Sequence, residues 1–433
     1  MFPNPQDALP LPARPNLDQY KNRSKDLVKA ANSPDPAALN QFVRTWLDSL
    51  LHSTSLTITP QLPVSRERWT DELSSFLRTE QQSAQPFTLA RAQFILARIH
   101  GFERWTKFAR HVQDLSRARS PDGTFENAVE AIVSGDLAAL EHLLSSDPSL
   151  VRVRSAREHH ATLLHYVGAN GIEGYRQKTP KSIVQIARVL LQAGAEVNAT
   201  AHVYGGEATA LELVATSIHP EQAGLQQELM KLLLDHGASF DATLVNACLA
   251  NGRLRAAEFL AERAIPLDLE SAAGLGRMDV VTSFYDAQGN LQPNATSEQR
   301  DHGFLWACEY GRNDVLEFLL QRGARLDSSA NTGQTPLHWA VIGGHIDTIN
   351  LLLARGADLE KKNAYGGTPL GQALWSALNN SKEMHATYLA VVKTLINAGA
   401  RIDASMLPWV LNEKEASPRI KQQLAQLLKR EPA

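Results

Sequence analysis

His159, His160 and His165 form the densest group of side chains that could bind a metal or act as general bases, since imidazole does both near neutral pH. Their spacing completes no known metal pattern with neighbouring acids or thiols, so neither a metal nor a cofactor is expected. His165 stands in Thr162-Leu163-Leu164-His165, a helix opening, and His159-His160 fall at the tip of the preceding loop. Cys248 and Cys308 lie among small residues of helices with no basic surroundings to form a thiolate, which predicts buried, inert thiols. Gly274-Leu275-Gly276 imitates part of a dinucleotide loop, but Asp279 occupies the third glycine's place and no strand precedes it. Phosphate loops, Gly-X-Ser-X-Gly elbows and His-Glu-X-X-His helices do not occur. No catalytic residue is therefore named, although a set dispersed along the chain would leave no motif.

The elements around these residues belong to an ordinary globular composition: 433 residues, 43 Lys+Arg, 46 Asp+Glu and 43% hydrophobic. No apolar run of roughly 18 residues could cross a membrane, and the proline-rich start lacks the layout of a secretory signal. Two cysteines are too few for a disulfide framework, which favours the cytoplasm. Residues 1–121 carry 16 Lys+Arg against 11 Asp+Glu, and residues 122–433 carry 27 against 35. The basic excess could serve nucleic acid, but its charges are mixed in sign along helices, which points to a solvated surface.

From about Thr124 one pattern returns: a small-residue helix, a Gly turn, a Leu-Leu helix, then Gly-Ala and a polar stretch. Thr335-Pro336-Leu337-His338 is followed 33 residues later by Thr368-Pro369-Leu370-Gly371, and Gly323-Ala324 at the same interval by Gly356-Ala357. Gly194-Ala195, Gly237-Ala238 and Gly399-Ala400 repeat the ending.

This pattern resembles the ankyrin repeat family, whose period is about 33 residues and whose first helix opens Thr-Pro-Leu-His. The resemblance implies an all-α solenoid of about eight helix pairs. These begin near Thr124, Thr162, Thr209, Thr243, Leu267, His302, Thr335 and Thr368, with a closing pair from Met406. It also implies that His165 ties helix and finger backbones together. The signature residues also answer to physical demands of their own. Thr335 caps, Pro336 suits the first turn, and Ile349, Leu351 and Leu352 form an apolar stripe. Gly356 ends the second helix in a left-handed conformation. Gly171 to Gly194 spans 23 residues where Gly344 to Gly356 spans 12, so loops or longer helices are expected along one rim. Gly237 to Thr243 leaves almost no finger, and the middle of the array, 243–286, is the least regular part.

Residues 15–118 do not repeat but read as five helices, with inward-facing residues including Leu27, Trp46, Trp69, Phe94, Ile95, Trp105 and Phe108. The segments at Leu11 to Lys21 and Gly101-Phe102-Glu103-Arg104-Trp105 resemble the helical leader of some bacterial ankyrin proteins. The expected organisation is a flexible tail over 1–14, a helical domain over 15–118, the array over 122–404 and capping helices over 405–433.

What remains for function is surface. The resemblance implies a concave face of finger tips and first helices, contributed here by Glu309, Tyr310, Asn331, Thr332, Gln334, Ile342, Ala364, Tyr365, Trp375 and Ser376, with Arg322 and Arg355 pointing to the same side. Tyr310, Tyr365 and Trp375 are the aromatic anchors, unless residues 379–386 cover Trp375. Trp306 and Trp339 are expected to pack between units. The reading is a monomeric cytoplasmic module, not an enzyme, that binds a protein, a basic one given the acidic array. The alternatives are an enzyme or small-ligand site near 172–181, lined by His159, His160 and Tyr175, and nucleic-acid binding by the basic helical domain.

Overall fold

A computed structural model describes residues 4–12, 14–54, 66–82, 86–117, 120–263, 266–329, 332–413 and 416–429. Asn331 lies outside the described residues, as does most of the Ser/Thr/Pro-rich loop read over 52–64. The chain divides into two compact units, Met1–Phe240 and Asp241–Ala433. The division falls at the shortened finger: Asp241 caps the helix Ala242–Ala250 directly, accepting from the Thr243 N–H at 2.9 Å.

In the first unit, five leader helices span Leu17–Ala31, Ala38–Thr54, Arg66–Gln81, Leu89–Ile99 and Trp105–Leu115. Asn16 and Thr88 cap their helices through side-chain oxygens. Trp46 and Trp69 are buried with Leu27, Val43, Leu73 and Ile95. Phe94 departs from expectation and is 48% exposed. Ala92, Ile95, Leu96 and Ile99 make the inward stripe, and Phe94 is about 100° around the helix from Ile95. The residues read as a flexible tail also differ: Pro5–Asp7 is a 3-10 turn and Leu9 is fully buried. The Leu9 N–H donates to Ile99 O at 2.8 Å, and its carbonyl accepts from His100 Nδ1 at 3.1 Å. These bonds satisfy the main chain on both sides of a buried anchor.

Three helix pairs complete this unit: Pro121–Ser134 with Leu137–Ser146, the 3-10 turn Leu163–Gly168 with Ile183–Gln192, and Ala210–Thr216 with Gln226–Asp235. The finger before the third pair is a hairpin in which Thr200–Val203 pairs antiparallel with Gly206–Thr209.

The second unit holds five pairs and a closing pair. They are Ala242–Ala250 with Leu254–Ala261, Leu269–Leu275 with Met278–Ser283, Ser297–Glu309 with Asn313–Leu320, Pro336–Gly343 with Ile346–Ala354, Pro369–Asn379 with His385–Asn397, and Met406–Asn412 with Pro418–Leu428. The described residues are thus essentially all-α, built as stacked helix pairs. Val341, Ile349, Leu352, Leu374 and Val391 run through one continuous core of this unit, each worth roughly 1.5–3 kcal/mol of burial. Gly356 has φ +85°, the left-handed stop its position requires. His338 Nδ1 accepts from the Thr335 N–H at 3.2 Å. Its Nε2 therefore carries the proton and donates to Gly367 O at 3.1 Å, joining the helix cap to the next finger. His165 makes the equivalent cap bond with the Thr162 N–H at 3.1 Å.

Candidate functional site

The 33-residue register places Glu309, Ile342 and Trp375 in one row along successive first helices, and Thr332 and Tyr365 at successive finger tips. The Ala364 N–H donates to Thr332 O at 2.9 Å, joining those fingers. One helical turn away, the Trp306 and Trp339 rings meet edge to face with centroids 5.4 Å apart, as packing between units requires. Tyr365 is 78% exposed and Trp375 is 52% exposed, so the inserted residues leave the indole open.

The other residues expected on this face are placed differently. Tyr310 is half-buried and its hydroxyl donates to Leu249 O, which makes it a tie between repeats. Ser376 is buried, a correction: the helix Pro369–Asn379 puts it inward with Ala373 and Ala377, where Gln372 Nε2 donates to it at 3.4 Å. Arg322 and Arg355 are also corrected. Arg322 lies 3.5 Å from the Phe318 ring centroid and 5.5 Å from that of Tyr285, and Arg355 pairs with Glu317 at 2.8 Å. Those partners lie in or just after second helices, so neither arginine joins the row of Trp375. Thr332 and Gln334 hydrogen-bond each other, Ile342 is half-buried and Ala364 is exposed.

Glu309 ends the helix Ser297–Glu309, and its buried Oε2 has no hydrogen-bond partner. Burial pushes its carboxyl up to about 8, so it is neutral at pH 7. The Trp339 Nε1 is likewise buried without a partner. Its counterpart Trp306 donates Nε1 to Glu270 at 2.9 Å. The residue 33 positions after Glu270 is Gly303, where a Cβ would stand 2.9 Å from the Ala273 Cβ, so packing admits no acceptor side chain there.

The first unit holds a polar cluster that the sequence reading missed. Glu126 and Glu173 alternate with Arg157 and Arg176: Arg157 Nε lies 2.6 Å from Glu173, Arg176 lies 3.0 Å from Glu173 and 2.6 Å from Glu126, and Arg157 lies 3.6 Å from Glu126. His159 Nε2 adds a contact to Glu173 at 3.2 Å, and His111 joins Asp122 at 2.8 Å and Glu126 at 3.6 Å. Burial opposes ionisation of both glutamates, but the two guanidiniums outweigh it, holding Glu126 down at about 2 and Glu173 well below the usual carboxylate range. His159, expected at an exposed loop tip, is fully buried because Glu173 supplies its partner. The insertion expected along a rim turns inward, with Ile172, Glu173 and Tyr175 all buried. His159 and Tyr175 thus face neighbouring side chains of their own chain. His160 is partly exposed, with Nε2 3.5 Å from Glu103.

Both thiols are fully buried, and burial pushes Cys248 up to about 12 and holds Cys308 well above its ordinary value. Gly274 sits inside the helix Leu269–Leu275, where a Cβ would meet Leu249 at 2.7 Å and Trp306 at 3.0 Å, so packing accounts for this glycine. Several leader cations are paired, among them Arg66 with Asp48, Arg91 with Glu80 and Lys107 with Glu103. Residues 241–433 carry 19 Lys+Arg against 21 Asp+Glu, so the acidic excess of the array resides mainly in 122–240. Among the described residues, no helix is long and apolar enough to cross a membrane and no group of three or more His, Cys, Asp or Glu could hold a metal ion.

Residues 269–363 and 304–406 match the family model for ankyrin repeats in three copies. The human ASB11 ankyrin repeat domain is similar at 22% identity, over 63% of this chain and 98% of that one, with a TM-score of 0.32. No curated protein matches the sequence. Ankyrin repeats are generally protein-interaction modules and typically non-enzymatic. With their 33-residue register and a Thr335–His338 helix opening tied to the next finger, residues 269–406 are ankyrin repeats.

Proposed function

We propose that the chain is a protein-binding module, and that its partner rests on the first helices and finger tips of the second unit. The observation that carries this reading is the exposure of Tyr365 and Trp375 in a single repeat, on a finger tip and the helix that follows it. Interfaces concentrate their energy in such aromatic residues. The first helices are fixed by core packing and the fingers by backbone bonds, so little conformational entropy is lost on binding. An interface of roughly 800 Å² per partner fits a face of this kind. The same reading makes the chain a cytoplasmic monomer without catalytic activity.

The test is affinity capture from native extract with wild type and a Tyr365→Ala/Trp375→Ala double variant of unchanged helicity. Loss of specific proteins from the variant supports the assignment. Equal capture by both places the interface elsewhere.

A further inference from the structure

The hairpin before the third repeat of the first unit ends in an open strand edge. Its turn, Tyr204-Gly205, has φ +53° and +78°, the two-residue geometry in which the flanking Val203 and Gly206 form a hydrogen-bonded pair. Bonding alternates along an antiparallel ladder, so His202 and its partner Glu207 point their main-chain groups away from each other. On the incoming side the His202 N–H donates to His159 O at 2.8 Å, which joins the hairpin to the finger before it. The fingers at Thr332 and Ala364 are joined in the same manner. On the outgoing side the next finger is cut to residues 237–240. Asn198 holds that stump at the base of the hairpin, donating to Gly237 O and accepting from the Ser239 N–H, both at 2.9 Å. Among the described residues, nothing bonds to the Glu207 N–H or carbonyl, and both Gly206 and Glu207 are exposed.

We propose that an extended segment of a basic partner protein adds to this edge as a third strand beside Gly206–Thr209, in the place of the missing finger, with a Lys or Arg opposite Glu207. Its main chain exchanges two hydrogen bonds with the Glu207 N–H and carbonyl. Side chains alternate across a strand, so the basic residue lies on the exposed face with His202 and Glu207, whose own side chains are in contact. Its two neighbours lie on the face of Ala201, Val203 and Ala208, where apolar residues fit. Charge selects this partner: residues 194–240 carry six Asp+Glu against one Lys, and that Lys231 is already paired with Asp235. It also disfavours a second copy of the chain, because antiparallel pairing of two such edges sets Glu207 against Glu207. At the turn, the exposed Tyr204 ring is held by its hydroxyl's bond to Asn170 and adds an aromatic contact. The edge shares no residue with the face of Tyr365 and Trp375, and its test is independent of that reading.

The test pans a random 12-residue peptide library against the full chain carrying Trp375→Ala, so that the aromatic face does not compete, and measures the consensus peptide on the wild-type chain by calorimetry. The expected consensus is a Lys or Arg between two apolar residues. Methylation of the peptide's main-chain nitrogens, one at a time, weakens binding about tenfold at the residue opposite Glu207 and little at its two neighbours. Glu207→Gln lowers affinity about two- to fivefold. Glu207→Pro, which removes the outward N–H and leaves the ladder intact, abolishes binding with unchanged helicity. Peptides without a basic residue, affinity indifferent to every methylation, equal binding by Glu207→Pro, or no enrichment at all each overturn the proposal. Self-association of the wild-type chain that Glu207→Pro removes would assign the edge to a second copy, and overturns it too.

Discussion

The two units bury different kinds of polar groups, paired charges in the first and single neutral groups in the second. In the first, Glu126, Arg157, Glu173 and Arg176 neutralise one another in a closed ring fed by a first-repeat helix, a loop and an inserted turn. In the second, Glu309 and Trp339 each keep an unpaired polar atom in the row that leads to the exposed Trp375. Charges that satisfy each other internally hold elements together and offer little to a ligand.

The largest expected effect breaks the closed side of this comparison. Arg157→Met leaves Glu173 buried with less compensation and is expected to cost about 3–5 kcal/mol in urea unfolding of the full chain. Arg157→Met combined with Glu173→Leu is expected to recover most of it. A loss below about 1 kcal/mol for the single variant would mean the ring does not hold the unit. On the open side, Trp375→Ala is expected to cost about 2 kcal/mol or more of partner affinity, with stability changed by no more than about 0.5 kcal/mol.

A pH titration of stability sharpens the contrast next. Burial holds His100 down at about 3 and His165 at about 4, below the ordinary 6.5. The unfolded chain binds these protons first, so stability is complete above pH 6.5 and falls with acidification toward those values, by up to about 1.4 kcal/mol per pH unit per proton. The Glu126 carboxyl, held at about 2, stays ionised through that window. Glu309, held up at about 8 by burial, takes its proton first in the folded chain and offsets part of this fall, so urea midpoints from pH 7 to 4 should drop less steeply than two histidines alone give, and His165→Asn should flatten the slope further. The smallest effect is Arg355→Ala, which removes a half-exposed pair with Glu317 and is expected to change the melting midpoint by less than about 0.5 kcal/mol equivalent.

The repeats were legible because their constraints are local: Thr335, His338 and Gly356 meet backbone demands that recur every 33 residues. The same register placed Trp375 and Tyr365 on an open face. It misplaced Ser376, which lies on the Ala373 and Ala377 side of the helix Pro369–Asn379, against Tyr388 of the following helix. It misread Arg355, whose direction depends on Glu317 in another repeat. The ionic ring was illegible for the same reason: Glu126 and Arg176 are 50 residues apart, and no period links them. Phe94 shows the limit on a single helix, where one residue of offset separates an exposed ring from the buried Ile95.

The most direct measurement is site-specific photo-crosslinking in native extract, with a photoreactive phenylalanine at position 375 or at Asn350, an exposed residue of the second helix Ile346–Ala354. The account predicts discrete protein adducts from position 375 and few from position 350. Adducts arising equally from both positions, or only from position 350, would contradict it.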